Sequence, residues 1–283
     1  MIEMFQIRMM KIIHQIAGST KKSIIERIPL LFSIIPLNIK FYTLSDKPLI
    51  NVRKSFRRKN TSPTKWAFTK EFLNKDLYQE LYDTYPKFDN TSWNITDNEE
   101  KLSYRKFWKR DQGGYYEDGS PREHNLIPEY DSRYSEAWNK FMSHIWSDEF
   151  IKKLREFSGV EVTHLRHFCF MYARQNGFQS PHTHNVSDKT LIIFVYFSKN
   201  WESGDPGGTY LSDGNNESKI LFEPADLDNT ALFVLDGPYA AHGMRKITKD
   251  VERRGIQVTY EPFNTKDGWY TDKGRKVLEP LEL

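Results

Sequence analysis

"SPHTHNVSDKTLIIFVYF", residues 180–197, joins a His-x-His pair to a long apolar run, and its reading decides the fold. In extended backbone, residues i and i+2 point to the same side, so His182 and His184 present two imidazoles to one target. The β-branched and aromatic run from Leu191 to Phe197 reads as a buried strand that steadies the approach to them. Two imidazoles held this way form half of a grip on a transition metal. Further donors are needed from elsewhere in the chain.

The texture on either side of this stretch is that of short strands. "EVTHLRHFCFMYA", "KTLIIFVYFS", "GGTYLS", "KILFEPA", "ALFVLD" and "GIQVTYEPF" are β-rich runs separated by Gly, Pro, Asp and Asn. Such spacing predicts an antiparallel sandwich or barrel. Two amphipathic patterns precede it. "TKEFLNKDLYQELYDTYP" carries Phe72, Leu73, Leu77 and Leu81 at helical spacing, with Thr69 as the expected cap and Pro86 beyond its end. From Arg133 to Phe157 the period returns, divided near Ser147-Asp148 and closed by Gly159. The predicted fold is α+β: a double-stranded β-helix, or jelly roll, with supporting N-terminal helices. Three regions follow: a basic extension over 1–62, a helical support region over 63–159 and a jelly-roll core over 160–283. Residues 87–132 are polar and rich in aromatics, and read as an insertion within the helical region.

A third candidate ligand is His242 in "LFVLDGPYAAHGMRKI", which follows another apolar run by a short turn. In a jelly roll, strands separated by this much chain lie side by side, so the three imidazoles can converge. In "ERRGIQVTY", Arg253 leads a largely apolar strand. Alternation places Arg253, Gly255 and Gln257 on one face and turns Arg254 away. An inward guanidinium needs a partner, and its planar fork suits a carboxylate.

Composition bounds these readings. The chain has 283 residues, 41 Lys and Arg against 38 Asp and Glu, and one cysteine, Cys169. A single cysteine excludes an intramolecular disulfide and a thiolate zinc cluster, and a reducing, cytoplasmic setting is expected. Residues 1–60 hold 12 Lys and Arg against 3 acids while the remainder is net acidic, so the basic extension is a candidate contact for an anionic surface, whether lipid or nucleic acid. Nothing in the residues argues firmly for nucleic acid. "IPLLFSIIPLNIKF", residues 28–41, is shorter than a transmembrane helix and is interrupted by Pro29 and Pro36.

From His164 to Phe263, about 100 residues, the sequence resembles the iron(II)/2-oxoglutarate-dependent oxygenases of the prolyl-4-hydroxylase-like branch. The resemblance rests on His182-Thr183-His184, then "VYFSKNW", Gly207-Gly208, His242 and Arg253, in that order. It implies an Fe(II) centre held by His182, His184 and His242, with 2-oxoglutarate as co-substrate and O2 as oxidant. It assigns the distal carboxylate of 2-oxoglutarate to Arg253 and Tyr196, and a pocket position to Tyr172. It implies hydroxylation of a C–H bond in an amino acid, peptidyl or other small polar substrate. The chain departs from the family where Asp or Glu is usual and His184 stands instead. Asp188, four residues on, is the competing carboxylate. Two alternatives stay open: a three-histidine iron dioxygenase that chelates its substrate without 2-oxoglutarate, and a catalytically inactive jelly-roll binding protein.

Overall fold

A computed structural model describes residues 46–56, 64–110, 126–184 and 189–262. Among the described residues, four α-helices and eleven strands form in chain order. They are α1 (Asp46–Phe56), β1 (Trp66–Lys70), α2 (Lys75–Asp83), β2 (Asn94–Asn98), β3 (Lys101–Phe107), α3 (Glu136–Trp146), α4 (Asp148–Ser158), β4 (His164–Ala173) and β5 (Phe178–His182). There follow β6 (Leu191–Phe197), β7 (Thr209–Ser212), β8 (Ile220–Phe222), β9 (Asp228–Leu235), β10 (His242–Met244) and β11 (Arg253–Glu261). Among the described residues, no helix is long and apolar enough to cross a membrane.

Every strand pairing is antiparallel, and the order is β1-β9-β6-β11-β4-β3-β5-β10-β7-β8, with β2 paired to β3. β3 turns the sheet back on itself. Its Tyr104–Phe107 half pairs with β4, while Lys101 and Leu102 pair with β5. The larger sheet is covered by helices on its outer face and the smaller β5-β10-β7-β8 sheet curls over its inner face, giving the jelly roll. Alternation sorts the side chains accordingly. Phe168 and Phe170 of β4, Ile193 and Val195 of β6 and Ile256 and Val258 of β11 join Trp138, Phe141 and Leu154 in the helix-side core. Cys169 and Met171, Phe194 and Tyr196, and Leu232 and Val234 face the barrel interior. Cys169 is fully buried there, as an inert core thiol.

Local chemistry sets the helix limits. The Asn74 side chain caps α2 by accepting from the Asp76 amide at 2.9 Å. Ser147 ends α3 and opens α4, where its hydroxyl accepts from the Phe150 amide. Gly159 ends α4 at φ 71°, the left-handed value glycine adopts freely. Between the layers, Tyr85 places its hydroxyl 2.7 Å from the Gly255 carbonyl, tying the end of α2 to β11.

Three sequence expectations change. Thr69 is not a helix cap: it lies in β1, paired with Ala231 of β9, because the Trp66–Lys70 run completes the sheet edge before the helix begins. Residues 87–132 are not merely an insertion, since β2 and β3 lie within them and β3 connects the two sheets. The folded core also starts earlier than the 62/63 boundary, because Leu49, Val52 and Phe56 of α1 are buried against it. The rest of the basic extension, up to residue 45, lies outside the described residues.

Gly243, between the two ends of β10, has backbone on both sides. A Cβ there would stand 2.4 Å from the Tyr210 hydroxyl and 2.6 Å from the Gln179 carbonyl. Gly243→Ala should therefore cost about 1–3 kcal/mol by overpacking, read as a lowered Tm. The equivalent change at Gly208, where the Pro224 carbonyl would lie at 2.4 Å, should behave alike.

Candidate metal centre

The short strands β5 and β10 bring the histidines together. They pair antiparallel with His242 directly opposite His182. His184 follows two residues beyond His182 and folds back over them. The ring centroids are 4.5 Å apart for His182 and His242, and 5.1 Å for each of the other two pairs. One ring nitrogen from each lies within 4.8 Å of the other two. His164 lies against Glu261 and His167 against Arg110, so neither joins the cluster.

The hydrogen bonds choose the tautomers. His182 Nδ1–H donates to the Ser180 carbonyl at 3.1 Å and His242 Nδ1–H to the Ala240 carbonyl at 2.8 Å. His184 Nδ1–H donates to Asp236 Oδ2 at 2.7 Å. Each ring is thereby left with its Nε2 lone pair for the shared space. The Gln179 amide lies 3.0 Å from His182 Nε2 and donates to it, as a donor does to a free lone pair. Burial first, and then the neighbouring imidazoles, holds His182 down to about 3 and His242 to about 4. Both are neutral at neutral pH, the form that binds metal. Three neutral, oriented imidazoles at this spacing fit a divalent ion that accepts nitrogen ligands, such as Fe(II), Co(II), Ni(II) or Zn(II).

Asp236 is the residue that sequence reasoning missed. It follows β9 directly as the last letter of "ALFVLD", and its carboxylate is buried with Oδ1 lacking a hydrogen-bond partner among the described residues. An acid closing an apolar strand was the available signal. The Asp236 carboxylate accepts the His184 Nδ1–H and orients the ring, as an acid behind an imidazole ligand does. Asp188 lies outside the described residues.

The same interior holds the other predicted residues, Arg253 and Tyr196, with Tyr172 at its wall. Arg253 is only 4% exposed, and its Nε donates to the Gly207 carbonyl at 2.7 Å while a terminal nitrogen donates to Thr209 Oγ1 at 3.0 Å. Among the described residues no carboxylate pairs with it. Burial lowers its pKa. Tyr196 lies beneath it, with the guanidinium 5.4 Å from the ring centroid and the hydroxyl accepting from the Thr209 amide. One cavity is lined by Arg253, Thr209, Gln257, Phe194 and His242, so the guanidinium and the His242 imidazole open onto the same space. Arg254 points the other way, over Tyr82 and Tyr85, and pairs with Glu252. Tyr172 also lines the cavity. Its ring stacks on Phe88 at 4.6 Å in the helix-side core, and its hydroxyl donates to Glu252. Strand alternation puts it one position out of phase with Met171 and Ala173, which face inward.

No family model and no curated protein matches the sequence. Solved structures do match in fold. A Pseudomonas putida prolyl-4-hydroxylase superposes over 76% of this chain and 100% of its own, with a TM-score of 0.54 and 12% identity. A Trichoplax adhaerens prolyl hydroxylase, in complex with a hypoxia inducible factor oxygen degradation domain peptide fragment, covers 76% and 91% with a TM-score of 0.52 and 16% identity. The chain has the jelly-roll fold of these hydroxylases.

Two outcomes follow. His182→Ala or His242→Ala should abolish binding of one equivalent of Fe(II) or Zn(II), and Asp236→Asn should weaken it about 10- to 100-fold, measured by competition with a chromogenic chelator. In the metal-free protein, the depressed imidazoles mean that the unfolded chain, with ordinary imidazoles near 6.5, takes up protons first as pH falls. Stability should be lost from about pH 6.5 down to about pH 3 and be insensitive to these groups above that range. Denaturant unfolding at several pH values should show a shallower fall for the His182→Gln/His242→Gln variant.

Proposed function

We propose that the protein is an iron(II)- and 2-oxoglutarate-dependent dioxygenase that hydroxylates a C–H bond of an amino acid, peptidyl or other small polar substrate. The observation that carries this reading is a buried guanidinium without a carboxylate partner, Arg253, opening onto the same cavity as His242 of a three-imidazole cluster. A buried cation of this kind is stable only when a ligand supplies the opposite charge. A dicarboxylate with one end on the metal and the other on Arg253 fits the arrangement. The fold shared with prolyl hydroxylases supports the same class.

In this reading His182, His184 and His242 hold iron(II), which with 2-oxoglutarate and O2 supplies the oxidising power. The chain's own contribution is position and environment. Ser180, Ala240 and Asp236 keep each ring in the tautomer that leaves Nε2 unprotonated. Arg253 receives the distal carboxylate through its fork, with the Tyr196 hydroxyl as a further donor and Thr209 holding both groups in place. Phe194 and Met171 line the interior with apolar surface that excludes water and strengthens these polar contacts.

Titration of the iron(II)-loaded protein with 2-oxoglutarate, followed by the visible charge-transfer band of the chelate, tests the proposal. Arg253→Ala should weaken 2-oxoglutarate about 10- to 150-fold, the loss of one charged hydrogen-bonded pair. Arg253→Lys should restore only part of this, because an ammonium lacks the fork. Arg254→Ala should leave the affinity nearly unchanged, and all three variants should retain the metal. A wild type without the band would point to a substrate-chelating three-histidine dioxygenase or an inactive binding protein.

A further inference from the structure

The inward face of β3 carries two cations that neither the imidazoles nor Arg253 accounts for. Leu102 and Tyr104 point into the helix-side core, so Lys101, Ser103, Arg105 and Phe107 point into the barrel, where Phe107 packs on the interior cluster. Ser103 and Arg105 line the cavity that also holds His242, Arg253 and Gln257. Lys101 lies opposite Gln179 in the β3–β5 pairing, one strand from His182.

Among the described residues, the side chains of Lys101 and Arg105 make no hydrogen bond, ion pair or ring contact. Burial, with Arg105 adding to it, pushes the Lys101 ammonium down to about 8. A second, independent sign comes from the neutral groups of the same cavity. Gln257 is 6% exposed and its amide has no partner among the described residues, while Ser103 Oγ is buried without one. Buried polar groups are nearly always satisfied, so these await a ligand. The charge balance points to its sign. Three neutral imidazoles cancel none of a divalent ion's charge, and Asp236 opposes a single unit of it. A 2-oxoglutarate distal carboxylate answers Arg253, which leaves Lys101 and Arg105 over.

We infer that the substrate oxidised at this site presents an anionic group, a carboxylate or a phosphate ester, to Arg105 and Lys101, with Gln257 and Ser103 hydrogen-bonded beside it. That it is oxidised rests on the oxygenase reading; the anion pocket itself rests on β3. Arg105 is paired with Met171 of β4 and lines the same cavity as Arg253, which places the anion in the space that 2-oxoglutarate would share.

The test uses the full chain loaded with Zn(II), which is redox-inert, and saturated with 2-oxoglutarate. Isothermal titration compares L-glutamate with L-glutamine, L-aspartate with L-asparagine, and O-phosphoserine with serine, each free and within a capped tripeptide. At least one acid should bind about tenfold or more tighter than its neutral partner, and the pair that does so tells carboxylate from phosphate. Arg105→Gln and Lys101→Gln should each remove most of that preference, and Arg105→Lys should retain part of it. Lys106→Gln, on the opposite face of β3, should change nothing. Tm measurements on every variant separate loss of the pocket from loss of the fold. Acids and neutral partners bound alike, or no acid bound, overturns the inference. So does an Arg105→Gln variant that loses 2-oxoglutarate as severely as Arg253→Ala while keeping the acid preference, since Arg105 would then serve the co-substrate. Iron(II) titration of the same preparation keeps the two proposals apart. Acid preference without the charge-transfer band fails the oxygenase reading alone, and the band without acid preference fails this inference alone.

Discussion

The antiparallel pairing of β5 with β10 is the constraint on which the site depends. Setting His182 directly opposite His242 brings two imidazoles from distant parts of the chain onto one face of a ladder. Backbone hydrogen bonds, rather than side-chain contacts, then hold their separation. β5 is five residues long and β10 only three, so neither is stable alone. They are held by β7 on one side and by the start of β3 on the other. The close approach of backbone at Gly243 belongs to the same arrangement, since no side chain fits where β10 passes Tyr210 and Gln179.

The electrostatics of the barrel interior follow from what is placed around that ladder. Carbonyl acceptors orient two of the rings, while the buried Asp236 carboxylate orients the third. A ligating carboxylate would cancel charge at the ion itself. Moving it behind His184 leaves the space by the rings more positive. Arg253, Arg105 and Lys101 accentuate this, and each is without a carboxylate partner among the described residues. Such a field is unfavourable in an apolar, ligand-free barrel and favourable once anions enter.

Much of the fold was legible in the amino-acid sequence because period-two runs bounded by Gly, Pro, Asp and Asn have few alternatives. The strands from "HLRHFCFMYA", "LIIFVYF" and "RRGIQVTYE" are long enough to show it, and Ser147 and Gly159 mark helix ends by their own local chemistry. The short strands were legible only in part. "GGTYLS" and "KILFEPA" showed β7 and β8, but β5 and β10 hold five and three residues, too few for a period, and β2 and β3 lie in polar sequence whose strand character comes from pairing. Thr69 shows the same limit: a threonine before an amphipathic run suits a helix cap, and only the edge of β9 makes it a strand residue.

For the site, the sequence by itself determined the donor types, the His-x-His spacing and the alternation that separates Arg253 from Arg254, because those depend on residue chemistry and backbone period. Only tertiary structure decided which distant groups meet. It set His242 against His182 and brought Asp236 behind His184, and it stacked Tyr172 on Phe88 at the cavity wall. It also showed that Lys101 and Arg105, which read as ordinary surface charges in a polar stretch, face the barrel interior. Local sequence carries no record of these contacts. They arise where β3 crosses from one sheet to the other, and that crossing depends on strand pairing between segments far apart in the chain.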